Sequence, residues 1–430
     1  MAFRWETLFG EKPFITVTNE ERPYLGLDPI QESWDQTQYC SKCNITYMRT
    51  TVYWEGDLIR KVITEENRMS PEDEAPFQQV LVEYDTSLKT ENRQRLLPLT
   101  SRGKPKPVTP SNILAVSPFG CKFWINVHLS NGQACMSIQN DRNNLVIPIG
   151  EEERISGIRS DADFHRFMDY YMQTCPPDYF SRIERLRTAS HQTVRYQTGD
   201  IFRIEIDRFR YCYGLITGQV LKIRKWPELS ELHSFRGLMR VPLMIRYYDV
   251  VTENPDLTAE QLVRYPLSRV DICADDEIIW GTHTIVGHKK LTEEDLEFNL
   301  DCGLLYQYGT NSTLYSFAVL KETDPVSLPE PYRLFVEWGT VSVILPAERV
   351  SQRLLQLFAG YHDPHGGTSL CIFPDLKDKT GKSSQNLLDP AWDEARQELF
   401  RCLGLAPDAD FDDFAAAFGG LTKRQILQKM

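Results

Sequence analysis

Histidine is scarce in this chain, with eight in 430 residues, and most stand alone. No serine sits in a Gly-x-Ser-x-Gly elbow, because Ser156 in "RISGIRS" lacks the flanking glycines. That excludes the strand-to-helix nucleophile of the α/β-hydrolases. Gly381-Lys382-Ser383 has the tail of a phosphate-binding loop, but Leu376 stands where the first glycine is required. The segment reads as a flexible surface loop. Apolar runs of membrane-spanning length are absent from the sequence, and Met1 to Phe14 carries Arg4, Glu6, Glu11 and Lys12 with no signal-like apolar core. Basic charge is also in deficit, with 48 Lys and Arg against 60 Asp and Glu, for a net charge of −12. Such a chain repels nucleic-acid phosphates and anionic membrane and favours basic protein partners. The expectation is a cytoplasmic protein that engages neither nucleic acid nor membrane.

Ten cysteines are scattered, most within apolar runs such as "YCYGLI" and "DICAD", as buried thiols are in a reducing compartment. No disulfides are expected. Cys40 and Cys43 in "YCSKC" have zinc-finger spacing, yet no second pair follows, and Cys121 and Cys135 could complete the site only through tertiary contact. A loop with two free thiols is the simpler reading. His362, Asp363 and His365 in "YHDPHGG" cluster as metal or acid–base candidates, but Asp-Pro and Gly-Gly are also ordinary turn chemistry. His128 in "WINVHL" reads as a strand residue. His283 and His288 are five apart in "WGTHTIVGH", so a regular strand would point them to opposite faces. No catalytic set and no cofactor is expected.

What is present is strand pattern. Residues 44–63 read as two strands broken at Glu55-Gly56-Asp57, followed by an exposed loop, "TEENRMSPEDEAP". Leu99 to Asn112, rich in proline and lysine, reads as a stiff connector. Asn131-Gly132 between apolar runs signals a hairpin. From Ser160, an N-cap, Phe164, Phe167, Met168 and Tyr171 recur at helical spacing; Pro176-Pro177 stops that helix before a second, "DYFSRIERLR".

The stretch "TGDIFRIEIDRFRYCYGLITGQVL" then opens a new β unit. Phe202, Ile204 and Ile206 share one face, Asp207-Arg208 make the turn, and Phe209, Tyr211, Tyr213 and Leu215 alternate on the return strand. Half of each strand should face a core. Gly214 marks a bulge or a close backbone approach. "VPLMIRYYDVV" is a further strand, Thr258 and Gln261 form a capping box, "DEIIWGTHTIVGH" reads as one strand, and "LTEEDLEF" as a helix capped by Thr292. The last hundred residues give a strand pair, "YRLFVEWGTVSVIL", and three helical patterns.

The fold expected is a multidomain α+β protein, β-rich, with a central antiparallel twisted sheet or partly open barrel and peripheral helices. The expected divisions are a β-rich region at 1–159, a helical connector at 160–195, an α+β domain at 196–320 and a mixed C-terminal region at 321–430.

The order "GDIFRIEI", "YCYGLITGQVL", "MIRYYDVV" resembles the immunity protein 26 family of bacterial polymorphic toxin systems. The features that carry it are Gly199 and Asp200 opening a strand, Tyr213-Gly214 within the next, and the trailing apolar strand, over about Tyr196 to Leu304. The resemblance implies a protein that binds and neutralises a cognate toxin with no chemistry of its own. The acidic run Asp275, Asp276 and Glu277, and Trp226 in the basic and aromatic insertion "KIRKWPELSELHSFRGLMR", are then the candidate partner contacts. Some proteins resembling this family are labelled organophosphate hydrolases. The alternative is therefore a hydrolase of organophosphate type, with or without a metal, using His362, Asp363 and His365 or Cys40 and Cys43. A nucleic-acid module built on "RGKPKP" and "KIRKW" is opposed by the net charge.

Overall fold

The computed structural model describes residues 14–70, 76–97, 103–116, 120–149, 155–229, 234–238, 240–298, 300–304, 313–314, 321–322, 332–338, 341–346, 390 and 393–430. The chain divides into two compact units. One comprises Met1–Val194, Glu205–Tyr211 and Ile279–His283; the other comprises Arg195–Ile204, Cys212–Ile278 and Thr284–Met430.

The first unit is built on strands β1 (Asp35–Cys43), β2 (Thr46–Glu55), β3 (Leu58–Met69), β4 (Pro76–Glu91), β5 (Arg95–Leu96), β6 (Lys106–Pro107), β7 (Cys121–His128), β8 (Gln133–Asn140) and β9 (Leu145–Ile149). They form one antiparallel sheet in the order β1-β2-β3-β4-β7-β8-β9, with β5 and β6 branching from β4. The hairpin turns fall at Gly56 and Gly132, both in the left-handed region (φ 57° and 67°), which glycine enters without a Cβ penalty. Strands β7, β8 and β9 alternate buried and half-buried residues almost without exception. A short helix, α1 (Pro110–Leu114), capped by Thr109, lies within the segment expected to be a connector.

Two amphipathic helices, α2 (Asp161–Gln173) and α3 (Tyr179–Thr188), belong to the same core. Ser160 caps α2 by accepting from the Asp163 amide, and Phe164, Met168, Tyr171, Tyr179, Ile183 and Leu186 pack with Phe123, Ile125 and Ile138 of the sheet. Full burial of each such side chain contributes about 1.5–3 kcal/mol.

The exposed loop expected from Thr64 is instead the second half of β3. Thr64, Glu65 and Asn67 are buried, and their polar groups are satisfied sideways: Arg49 grips Glu65, Asn67 accepts from Gln79, and the Thr50 and Thr64 hydroxyls lie 3.4 Å apart. Cross-strand pairing makes a polar sequence a stable interior strand.

The second unit holds β10 (Asp200–Glu205), β11 (Tyr211–Gln219), β12 (Pro242–Tyr248), β13 (Leu267–Ala274) and β14 (Thr284–His288), in the order β13-β12-β11-β10-β14. The sheet is open, not closed into a barrel. Short helices α4 (Val220–Ile223), α5 (Ala259–Leu262, with the Thr258–Gln261 capping box) and α6 (Asp276–Ile279) connect its strands. Further on lie β15 (Leu300–Leu304), β16 (Thr313–Leu314), β17 (Lys321–Glu322), β18 (Tyr332–Trp338) and β19 (Val341–Pro346), with β15-β18-β19 as one small sheet and β16-β17 as another. Helices α7 (Asp393–Leu403), α8 (Phe411–Phe418) and α9 (Lys423–Lys429) close the chain. Leu399, Phe400, Phe414 and Ile426 from these helices share a core with Met244 and Val270 of the sheet, and the Phe298 and Phe411 rings stack at 4.6 Å.

Several expectations in this unit are corrected. Strand β11 is buried at eight of its nine residues and β12 at all seven, so neither has a solvent face. Phe209 lies in the turn, 39% exposed, where the Asp207 carboxylate accepts the amides of Phe209 and Arg210. The register shift of β11 falls between Ile216 and Gly218. Of the two expectations for Gly214, the close approach holds: a Cβ there would lie 2.4 Å from Cζ of Phe202, so the glycine admits an aromatic ring against the backbone. "DEIIWGTHTIVGH" is the short helix α6 followed by β14, since Asp276 and Glu277 occupy a helical first turn. Thr292 caps one 3-10 turn, Glu293–Asp295, through a capping box with Asp295.

Candidate partner-binding surface

The resemblance residues build the corner where β10 starts. Gly199 (φ 95°) donates its amide to Ile216 O at 2.8 Å and accepts from the Lys289 amide at 2.8 Å. A Cβ there would stand 2.4 Å from Lys289 O and 2.8 Å from the His288 ring. Both the backbone angle and the space demand glycine. The next residue, Asp200, is buried, accepts the Gln197 amide at 2.8 Å, and faces Nδ1 of His288 at 2.9 Å. The His288 side chain is 47% exposed. A carboxylate on Nδ1 fixes the orientation of the ring. Tyr213 is fully buried, and its hydroxyl donates to Asn254 O at 3.0 Å, pinning the loop before α5.

The acidic run is less uniform than its sequence suggests. Asp275 is buried and accepts from the Tyr196 hydroxyl at 2.6 Å; Asp276 pairs with Arg240 at 2.7 Å; Glu277 is exposed. Burial raises the Asp271 carboxyl on the neighbouring strand above its ordinary value. Burial also pushes the Cys273 thiol up, with the charges of Asp271, Glu277 and Asp275 adding to it. Both shifts come chiefly from burial, and only the Cys273 thiol also feels the neighbouring carboxylates.

Trp226 is half-buried at the edge of the core that α7, α8 and α9 share with the sheet. Lys429 lies 5.7 Å from its ring centroid and pairs with Glu228 at 2.6 Å. The basic insertion is largely occupied at Arg224, whose guanidinium donates to the carbonyls of Phe235 and Leu238.

Cys40 and Cys43 are exposed on strand β1, not in a loop, while Cys121 is buried in the first unit's core and burial pushes its thiol up to about 11. Among the described residues, no three His, Cys, Asp or Glu side chains are gathered as a metal would require. His362, Asp363 and His365 lie outside the described residues, as does Gly381-Lys382-Ser383. His128 ends β7, as expected of a strand residue.

Sequence reasoning missed the Asp200–His288 pair. Asp200 registers only as a strand opener and His288 only as half of an unsuitable metal pair with His283, because 88 residues separate the partners. Their one local signal is the Gly199-Asp200 dipeptide.

Residues 197–303 match the model of the family described as Immunity protein 26. The match spans roughly a quarter of the 430 residues and ends within a residue or so of the stretch whose strand order carries the resemblance. It covers β10 to β14 and most of β15. The family is one of toxin immunity proteins. No curated protein and no solved structure matches the chain. No helix among the described residues is long and apolar enough to cross a membrane.

Proposed function

We propose that this chain is an immunity-type protein that neutralises a cognate toxin in the cytoplasm by forming a stoichiometric complex. The family match over residues 197–303 carries the reading. The acid-rich end of β13, with Asp275, Asp276 and Glu277, supports a basic partner, and half-buried Trp226 is the type of aromatic anchor that interfaces favour. Occlusion needs surface, not chemistry: a nanomolar complex corresponds to about 12 kcal/mol, which about 1,600 Å² of interface with well-packed anchors reaches. Co-expression with the toxin encoded by the neighbouring reading frame should protect cells and give a one-to-one complex on sizing. Failure of both sinks the reading.

One observation favours a second reading, a hydrolase: Asp200 and His288 form the orienter-and-base pair that such enzymes use. Turnover abolished by His288→Ala, or stoichiometric zinc or manganese in the purified protein, would put the enzyme first.

A further inference from the structure

A groove of about 430 Å³ opens between the turn that follows β14 and the C-terminal helices, bounded by Glu294 and Glu297 on one side and Asp408 and Lys423 on the other. Its floor is apolar, with Leu296, Phe298 and Phe411 nearly inaccessible to solvent. One wall belongs to the segment that matches the immunity family. The other lies wholly outside it. The shared core beneath, with Phe298 stacked on Phe411, fixes the two walls in one body.

The groove's charges are unequally engaged. Arg246, 8% exposed, donates to Ser268 O at 2.7 Å, Glu294 O at 2.9 Å and Asp295 O at 3.1 Å, and reaches Glu297 at 3.2 Å. Arg269 takes the same Glu297 at 2.6 Å, and Arg396 pairs with Asp393 at 2.6 Å. The arginines are therefore bound within the chain. The rim carboxylates of Glu294 and Asp408 are exposed and have no hydrogen-bond or ion-pair partner among the described residues. Asp410, also exposed, adds a third negative charge at the N-cap of α8. Lys423 is the one lining cation whose ammonium makes no ion pair among the described residues. Arg246 and Arg269 share the single charge of Glu297, so three carboxylates outside any ion pair among the described residues face an incoming ligand against the Lys423 ammonium and one residual arginine charge. That excess of exposed carboxylate suits the cationic head of a lysine or arginine side chain.

We infer that this groove docks a basic segment of the partner protein, so that the C-terminal helices outside the family match form half of the recognition site. The inference rests on the immunity reading and adds a further contact to those proposed at the end of β13 and at Trp226.

The test uses the full chain and the toxin encoded by the neighbouring reading frame, titrated at low and high salt. The rim reversal Glu294→Lys with Asp408→Lys should weaken binding by about tenfold or more and flatten its salt dependence, since rim charges act mainly on association rate. Glu253→Lys with Glu260→Lys makes the same change of charge at exposed positions of the same unit and should bind within about twofold of the parent. If the rim reversal misfolds, Glu294→Gln with Asp408→Asn removes charge without adding any and should give a smaller loss in the same direction. Parental affinity in the rim variants, or equal losses in rim and control variants, overturns the groove while leaving the immunity reading intact. A parent chain that neither binds nor protects overturns the reading itself.

Discussion

The nine-stranded sheet of the first unit carries a network of charges on a buried face, whereas the centre of the five-stranded sheet of the second is largely apolar, with Arg246 of β12 as its buried charge. In the first, Lys61 has no exposed surface and reaches Glu83 at 2.7 Å and Asp85 at 2.5 Å, while Arg22 takes Glu83 at 2.7 Å. Arg49 and Glu65 form a second bidentate pair nearby. Burial raises the Asp85 carboxyl in spite of the Lys61 ammonium beside it. In the second, β11 and β12 present Tyr213, Leu215, Ile216, Leu243 and Ile245 with almost no exposure. The difference bears on specificity. A buried charge must find a particular partner, so the ionic face fixes the register of β2, β3 and β4 at a cost in desolvation. An apolar face is held by packing and punishes changes of volume.

The most severe test of this contrast is Lys61→Met. It leaves the Asp85 carboxylate without its ammonium and Glu83 with Arg22 alone, and should destabilise the first unit by about 3–5 kcal/mol, read by chemical denaturation. A loss below about 1 kcal/mol would mean that the ionic face is solvated. Leu215→Ala in the second sheet should cost about 2–5 kcal/mol through transfer and cavity terms, with the same change in an exposed position nearly silent. Gly214→Ala drives a methyl into the Phe202 ring and should cost about 1–3 kcal/mol. The double variant with Phe202→Leu should recover part of it, and no recovery would remove Phe202 as the reason for the glycine.

The smallest effect concerns His165 in the first unit, which holds Glu21 at 2.7 Å and lies 3.5 Å from Asp161. Partial burial works against its charged form, but the hydrogen bond and charge of Glu21, with Asp161, outweigh it and raise its pKa. A raised folded-state value contributes stability that is fully present below the unfolded value of about 6.5 and lost as pH rises through the folded one. The thermal midpoint of the parent should therefore exceed that of His165→Gln by more at pH 6 than at pH 8.5. An equal gap at both pH values would show that the imidazolium plays no part.

The same contrast explains what could be read in advance. Hairpins at Gly56 and Gly132 and the Ser160 and Thr258 caps were legible because turn and cap chemistry is local. Thr64 to Met69 was misread as a loop because its polarity is compensated by Arg49, Thr50 and Gln79, from other strands. The half-exposed face assigned to β11 failed for the opposite reason: in a strand covered on both sides, burial no longer follows residue parity. At the candidate surface, Gly199-Asp200 was visible while its service to His288 was not, and the run at Asp275 concealed three different environments.

By itself the sequence determined an acidic α+β chain with a family-like strand order from Gly199 onward, since strand alternation, turns and caps depend on neighbours a few residues apart. Only the tertiary structure decided which polar groups are spent inside and which are offered outward. That choice is made by hydrogen bonds and ion pairs between residues tens to hundreds of positions apart, such as Lys429 with Glu228, and no local pattern encodes them.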